Sequence, residues 1–387
     1  MAWTLTEEQE LVRDSIREWV AREGEPVAAQ IDQSNEFPME LFKRAGELGF
    51  IGLTFPEKYG GNGEPYIMEQ VLAEEVGKSL PSLSMSFAVH CAVARNVLYF
   101  GNDEQKQKYL PKAASGEWIF APTAVDPAGG TNFTEAQSIG RFDGDDGIVT
   151  CEMPYATNAA VADVINFPGA VGGVPVSLMI EVGKAGDAIK PGPYETPGMR
   201  GMGLGSISYN EVRVPAADIL ASGPMPADQA VAWLTDAANF LGAMERIFDM
   251  TKAYVMKRSR MGKPLGTYQS VAHTLVKCHI VIENTRAIIE AASKTYENRP
   301  ANVPLCFAAK AYATEESAKV GKALIDLWGG VGVVEETGVM RFLRDIITMP
   351  PGELTTFALY DAIAQSLDIP VETQLDVYRW PDVELEK

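Results

Sequence analysis

Three short segments of the chain contain residue types that can bind a ligand or move a proton. The basic cluster KRSR occupies residues 257–260, and a guanidinium fork such as that of Arg258 suits a diphosphate. The run GGVG at 329–332 allows close approach to the backbone, and Glu353, after a Pro-Pro-Gly turn, carries a carboxylate that can accept a proton. Taken singly, each segment is more simply explained as a solvated surface, an interhelical turn or a capping acid.

Composition and motifs disfavour several other functions. The 3 histidines and 4 cysteines are scattered without the spacing of metal ligands, so no metal site is expected. No G-x-G-x-x-G motif opens a β-α unit, which means that any nucleotide cofactor must be held in another way. The net charge of −19 repels phosphate backbones, so the sequence predicts no nucleic-acid partner.

The location of the protein is predicted from what the termini and apolar runs contain. No stretch of about 18 apolar residues could span a bilayer, so no membrane span is expected. Residues 1–20 carry acidic side chains where a signal peptide would need a basic start and an apolar region. The prediction is therefore a cytoplasmic protein.

The elements that must position these segments change character along the chain. Apolar residues recur at helical spacing from Thr6 to about Leu110, and Thr6 with Gln9 predicts a capping box. β-branched and alternating runs follow, and helical periodicity returns from about Asp228 to Leu367. The β runs lie at 147–153, 161–167, 174–182 and 208–214. We predict an α+β fold with an N-terminal helical domain (1–119), a middle β-barrel or sandwich domain (120–226) and a C-terminal four-helix-bundle domain (227–387).

The order of several motifs resembles the acyl-CoA dehydrogenase family over nearly the whole chain. Each motif alone is weak evidence, and RSRMGKPLGTYQ is the most specific of them. Together and in this order, the motifs are strong evidence for the resemblance. The motifs are LTEEQ (5–9), FPEKYGG (55–61), FGNDEQKQKYLPKAASGEW (100–118), VDPAGGTN (125–132), YATN (155–158), VRVP (212–215), RSRMGKPLGTYQ (258–269), GGVG (329–332) and RFLRD (341–345). The resemblance implies an FAD-dependent oxidoreductase that desaturates an acyl thioester between the carbons α and β to its carbonyl.

The resemblance also assigns roles to individual residues. Glu353 follows Arg344 and Asp345 at the spacing of the family's catalytic glutamate, which takes the α-proton while the β-hydride goes to flavin N5. Arg258 matches the arginine that reaches across the dimer to the FAD pyrophosphate. The other implied cofactor-binding positions are Val125, Thr131, Tyr155, Thr157, Gln269, Asp326, Gly329, Gly330 and Thr355, and the implied substrate-binding positions are Asn132 and Trp233.

Several of these positions depart from the family pattern. Tyr155 replaces a tryptophan, Val125 replaces a threonine, and Asp326 replaces a glutamine, so its carboxylate is expected to repel the FAD diphosphate. Trp233 falls near the place of an arginine that contacts CoA in many members. Around Glu353, the flanking Tyr and Gly of the family are also lost.

The departures leave alternatives open. The first interpretation is a working dehydrogenase of an acyl-CoA or other acyl thioester, a homodimer or homotetramer that passes electrons to an electron-transfer flavoprotein. The second is an FAD-poor partner subunit that pairs with a paralogue in a heteromer. The third is a related flavin-dependent enoyl-thioester reductase.

Overall fold

The structure is a computed structural model that describes residues 3–123, 125, 140–221, 226–350, 352 and 354–371. Its N-terminal part is helical. The predicted capping box of Thr6 and Gln9 is confirmed at the start of the first helix, α1 (Glu7–Trp19). The six helices are α1 (Glu7–Trp19), α2 (Ala28–Ser34), α3 (Met39–Glu47), α4 (Ile67–Gly77), α5 (Pro81–Phe100) and α6 (Asp103–Ala114).

The middle part of the described chain contains two four-stranded sheets. The strands are β1 (Phe120–Pro122), β2 (Gly140–Asp143), β3 (Asp146–Ala156), β4 (Val164–Val171), β5 (Val174–Glu181), β6 (Ile189–Pro193), β7 (Gly205–Val214) and β8 (Ile219–Leu220), with a short helix α7 (Val182–Ala185) after β5. In the first sheet, the strand order is β1-β4-β5-β8, and β1 runs parallel to β4 while the other pairs are antiparallel. The second sheet is antiparallel throughout, in the order β2-β3-β7-β6.

Long helices return after the sheets, and the predicted α+β class is confirmed. Helix α8 (Val231–Lys257) is followed by a hairpin of β9 (Ser259–Arg260) and β10 (Lys263–Pro264). The remaining helices are α9 (Gln269–Glu297), α10 (Val303–Trp328), α11 (Val339–Thr348) and α12 (Thr356–Ser366).

Two hydrophobic cores hold the described residues together. One lies between the sheets and contains residues such as Phe167 and Ile207. The other joins the first helices to the last, so residues as distant in sequence as Phe42 and Phe342 belong to one core. Helix α8 is its centre, because every residue from Val231 to Met244 is buried, as expected of a helix surrounded by others. The division at 119/120 and 226/227 stays a prediction.

Candidate functional site

An exposed aromatic ring stands at the end of β3. Met153 pairs with Ile207 and Ala156 with Gly205, so three steps along β3 match two along β7. This extra residue is a β-bulge, a feature that re-aims a side chain. Tyr155 lies in it, and the side chain is 59% exposed.

Hydrogen bonds to neighbouring elements hold the turn after β3. Asn158 is fully buried, with φ 65°, a left-handed conformation that asparagine tolerates. Its amide donates hydrogen bonds of 3.1 Å to one backbone carbonyl on α5 and to another on β1. Half-buried Thr157 precedes it. The backbone that carries Tyr155 and Thr157 is therefore tied to α5 and β1.

A second set of predicted residues lies together at one end of the long helices. The ring of Tyr254 on α8 stacks on Trp328 of α10, with centroids 4.2 Å apart and planes at 6°. This stack brings the ends of α8 and α10 together, so Arg258, which follows α8, lies at the same end of the helices as Gly329 and Gly330, which follow α10. A Cβ atom at either glycine would meet no atom within 4 Å. The glycine backbone is thus open to a ligand.

The charges at this end favour an anion. Arg258 is exposed, and its side chain makes no ion pair or hydrogen bond with the rest of the described chain. Gln269 is also exposed and begins α9. Asp326 forms an ion pair of 2.7 Å with Lys322, one turn earlier on α10. The repulsion expected from this carboxylate is therefore partly offset by its own partner.

The RFLRD motif ties α11 to the loop before β7. Arg344 donates a hydrogen bond of 2.6 Å to the carbonyl of Pro197 and forms an ion pair of 2.5 Å with Asp32. Asp345 accepts a hydrogen bond of 2.6 Å from the backbone N–H of Met199. Burial raises the pKa of the Asp345 carboxyl to about 6. These contacts indicate a structural role for the motif.

The segment between α11 and α12 is anchored at several points. Lys310 on α10 donates a hydrogen bond of 2.8 Å to the carbonyl of Gly352 and forms an ion pair of 2.9 Å with Asp236 on α8. Leu354 is 5% exposed and belongs to the helical core. Thr355 caps α12, its hydroxyl accepting from Ala358 N. Burial raises the pKa of the Asp236 carboxyl, and the charge of Lys310 opposes that shift.

A small cavity lies between α4, α5 and α8. It has room for about one water molecule. Beside it, the buried guanidinium of Arg95 pairs with Glu69 at 2.7 Å. The side chains around the cavity are Glu69, Leu72, Ala73, Ser84, Phe87, Ala88, Cys91 and Thr235.

The remaining predicted residues divide into two groups. Glu353, Thr131 and Asn132 lie outside the described residues. Val125 is half-buried, and Trp233 is buried on α8, where its ring meets Phe307 edge to face at 5.0 Å. Trp233 is therefore part of the packed helical core.

Asp236 and Lys310 were missed in the sequence, although a signal was available. Each is a single charged residue inside an apolar helical run, VAWLTDAANFLGAM for Asp236 and VPLCFAAKAYA for Lys310. Charged side chains are almost never fully buried unless they are paired. The sequence therefore indicated that each of the two is paired, although not with which partner.

Metal binding and membrane insertion find no support within the described ranges. No three His, Cys, Asp or Glu side chains there are grouped so that they could hold a metal ion. None of the helices in the described part of the chain has both the length and the apolar composition of a membrane span.

Comparison with known proteins identifies the family. Residues 6–117 match the model of the acyl-CoA dehydrogenase N-terminal domain, and residues 234–367 match that of the C-terminal domain. A probable acyl-CoA dehydrogenase of Bacillus subtilis, YngJ, is 32% identical over 380 residues, which cover 95% of this chain and 100% of the relative. The chain belongs to the acyl-CoA dehydrogenase family. It is therefore an oxidoreductase of the class that acts on CH–CH groups, as predicted.

Solved structures of acyl-CoA dehydrogenases share the fold. The acyl-CoA dehydrogenase of Geobacillus kaustophilus superposes with a TM-score of 0.88 at 26% identity and covers 95% of this chain and 100% of its own. Butyryl-CoA dehydrogenase of Megasphaera elsdenii gives a TM-score of 0.89 at 22% identity, with the same coverage.

The family implies FAD, and the described residues fit that cofactor. Tyr155 offers an exposed ring that can stack on a flavin, and Thr157 offers a hydroxyl beside it. Arg258 has a free guanidinium for a diphosphate, and the open glycine backbone lies at the same end of the long helices. Within the described residues, no hydrogen bond or ring contact joins these two sets.

Proposed function

We propose that this protein desaturates an acyl thioester, with Glu353 as the base that removes the α-proton. FAD, when bound, supplies the acceptor for the hydride that leaves the β-carbon. The α C–H bond gives its proton to the Glu353 carboxylate, and its electron pair forms the double bond as the β-hydride departs. The support is family membership and the position of Glu353 after Arg344 and Asp345.

The observation that carries the proposal is the presence of two separate cofactor sets. Tyr155 and Thr157 stand on the sheet, whereas Arg258 and the glycines after α10 stand at the end of the long helices. A flavin ring suits the first set and a diphosphate suits the second. We infer that one protomer supplies the first set and its partner the second, so the working form is a homodimer or a homotetramer.

The substrate and the electron acceptor follow from the same proposal. The substrate is an acyl thioester of CoA or of another carrier, because packed Trp233 provides no cation for the CoA phosphates. Electrons pass from the reduced cofactor to an electron-transfer flavoprotein, which restores the oxidised state. We further propose a cytoplasmic location.

An absorption spectrum tests the proposal. Oxidised flavin absorbs near about 370 and 450 nm whatever protein binds it. The purified protein is measured alone, after addition of FAD and gel filtration, and then under anaerobic conditions with short, branched and long acyl-CoA thioesters. Retained flavin that bleaches with a thioester supports the dehydrogenase.

The other outcomes separate the alternatives. A protein that stays colourless after FAD contradicts the proposal in favour of an FAD-poor partner subunit. Bound flavin that no saturated thioester bleaches, but whose dithionite-reduced form is reoxidised by an enoyl thioester, favours the reductase.

A further inference from the structure

Two charged side chains are buried at the centre of the helical core. Asp236 lies in the part of α8 where every residue is buried, and Lys310 lies on α10. Their side chains are 2% and 1% exposed. A buried ion pair is seldom more stable than apolar residues of the same volume. The pair therefore calls for a role besides stability.

Lys310 has a second partner that links this pair to the proposed catalytic segment. Its Nζ lies 2.9 Å from Asp236 Oδ2 and 2.8 Å from the carbonyl oxygen of Gly352. Gly352 is the residue immediately before Glu353. The bond therefore joins the most buried part of the bundle to the backbone beside the proposed base.

Among the described residues of this segment, the other anchoring contacts differ in kind from the bond of Lys310. The segment runs from Met349 to Thr355, between the end of α11 and the start of α12. Met349 and Leu354 are each 5% exposed and pack against apolar neighbours, and the Asn239 amide on α8 donates a bond of 3.3 Å to the Met349 sulfur, which is a weak acceptor. Apolar contacts have no preferred direction, whereas the bond from Lys310 fixes one carbonyl in distance and orientation.

We propose that Lys310, oriented by Asp236, is a positioning residue that fixes the backbone segment carrying Glu353. This inference rests on the proposed function, in which Glu353 is the base. A base must lie within hydrogen-bond reach of the proton that it removes. Asp236 prevents the lysine from turning to another acceptor, because its carboxylate Oδ2 holds the ammonium in place.

The hydrogen bond from Lys310 to the Gly352 carbonyl is called the tether. A pair of variants separates its effect from that of the ion pair between Lys310 and Asp236. Asp236→Asn removes the ion pair and leaves Lys310 able to donate to Gly352. The double variant Asp236→Asn/Lys310→Met removes both. The double variant leaves no buried charge, whereas Asp236→Asn leaves Lys310 without its counter-charge, so the stability of each variant is measured alongside. Lys78→Met is the matched control, because Lys78 also pairs with α8, through Glu245, and makes no bond to the segment.

The first readout is the rate of flavin bleaching in a single anaerobic turnover. The double variant should bleach about 10–100-fold more slowly than Asp236→Asn, because small misplacements of a catalytic group cost up to about that much. The Kd of an enoyl thioester product is measured from the spectral change of the flavin on binding. This Kd should differ by no more than about threefold between the double variant and Asp236→Asn, since binding and chemistry are separate terms. Lys78→Met should match the wild type in both.

The second readout needs no cofactor. In the FAD-free protein, amide hydrogen exchange of a peptide covering residues 349–357 should be faster in the double variant than in Asp236→Asn. The expected factor is about fivefold, which corresponds to one net hydrogen bond. If the double variant does not fold, the apolar pair Asp236→Leu/Lys310→Met replaces it.

The outcomes distinguish this inference from the proposed function. Equal bleaching rates and equal exchange in Asp236→Asn and the double variant overturn the tether. Slower bleaching without faster exchange also overturns it, because Lys310 would then act in another way. Bleaching that survives in Glu353→Gln refutes the assignment of Glu353 as the base, and with it the proposed function. Faster amide exchange in the double variant would still show that Lys310 holds the segment.

Discussion

Helices α4 and α8 meet at a glycine, and alanine at this position should destabilise the protein. A Cβ atom on Gly242 would lie 2.3 Å from the carbonyl oxygen of Glu74 and 3.0 Å from the backbone N of Lys78. Both atoms belong to the backbone at the end of α4, so neither can swing aside as a side chain can. We expect Gly242→Ala to push the two helices apart.

The magnitude follows from two opposing terms. Alanine is favoured over glycine inside a helix by about 1 kcal/mol, and overpacking costs about 1–3 kcal/mol, with the upper end expected for a backbone clash. The expected net loss in the free energy of unfolding is therefore about 1–2 kcal/mol. Gly321→Ala in α10 is the control, because its nearest contact, at 2.9 Å, is the end of the Leu343 side chain.

Urea unfolding followed by far-ultraviolet circular dichroism gives the comparison, provided that wild type and variants have the same m-value. Gly242→Ala should unfold at lower urea than the wild type, and Gly321→Ala at the same or higher urea. A Gly242→Ala protein as stable as Gly321→Ala would refute the argument that α4 and α8 touch through their backbones.

Three further predictions follow from individual side chains. The pKa of Asp345 is raised from 3.8 to about 6 in the folded protein, so its contribution to stability is complete below pH 3.8 and is lost as pH rises through 6. Between pH 4 and 7.5, wild type should lose about 2.4 kcal/mol of stability relative to Asp345→Asn; parallel curves from urea unfolding at each pH would contradict the assigned shift. Thr6→Ala should cost about 1 kcal/mol of helix stability by removing the cap of α1, seen as faster amide exchange in its first turn; unchanged exchange would show that the cap contributes nothing. Arg258→Met should weaken FAD binding about 10–100-fold, the worth of one hydrogen bond to a charged group, in a fluorescence titration, whereas neighbouring Lys257→Met should not; equal effects would indicate a general loss of positive charge.

The parts of the fold that local pattern could predict are the long elements. The four β runs correspond to β3, β4, β5 and β7, because alternation over several residues reports which face is buried. The short strands β1, β2, β6 and β8 span two to five residues and contain too little pattern to be recognised. Their conformation comes from pairing with longer neighbours.

The site was only partly predictable for a related reason. Tyr155 and Arg258 were found through ordered motifs, but the bulge that aims Tyr155 depends on how β3 pairs with β7. Asp236 and Lys310 lie on different helices, and no local pattern connects them. Nor does any pattern predict that the first and last helices share one core, because this depends on packing across the whole chain.

The most direct test of the central claim is anaerobic flavin bleaching in Glu353→Gln beside the wild type, each loaded with FAD and mixed with the same acyl thioester. Removal of the base should leave FAD and thioester bound but abolish bleaching, because glutamine cannot accept the α-proton at neutral pH. A Glu353→Gln protein that bleaches at the wild-type rate would contradict the assignment of Glu353 as the base.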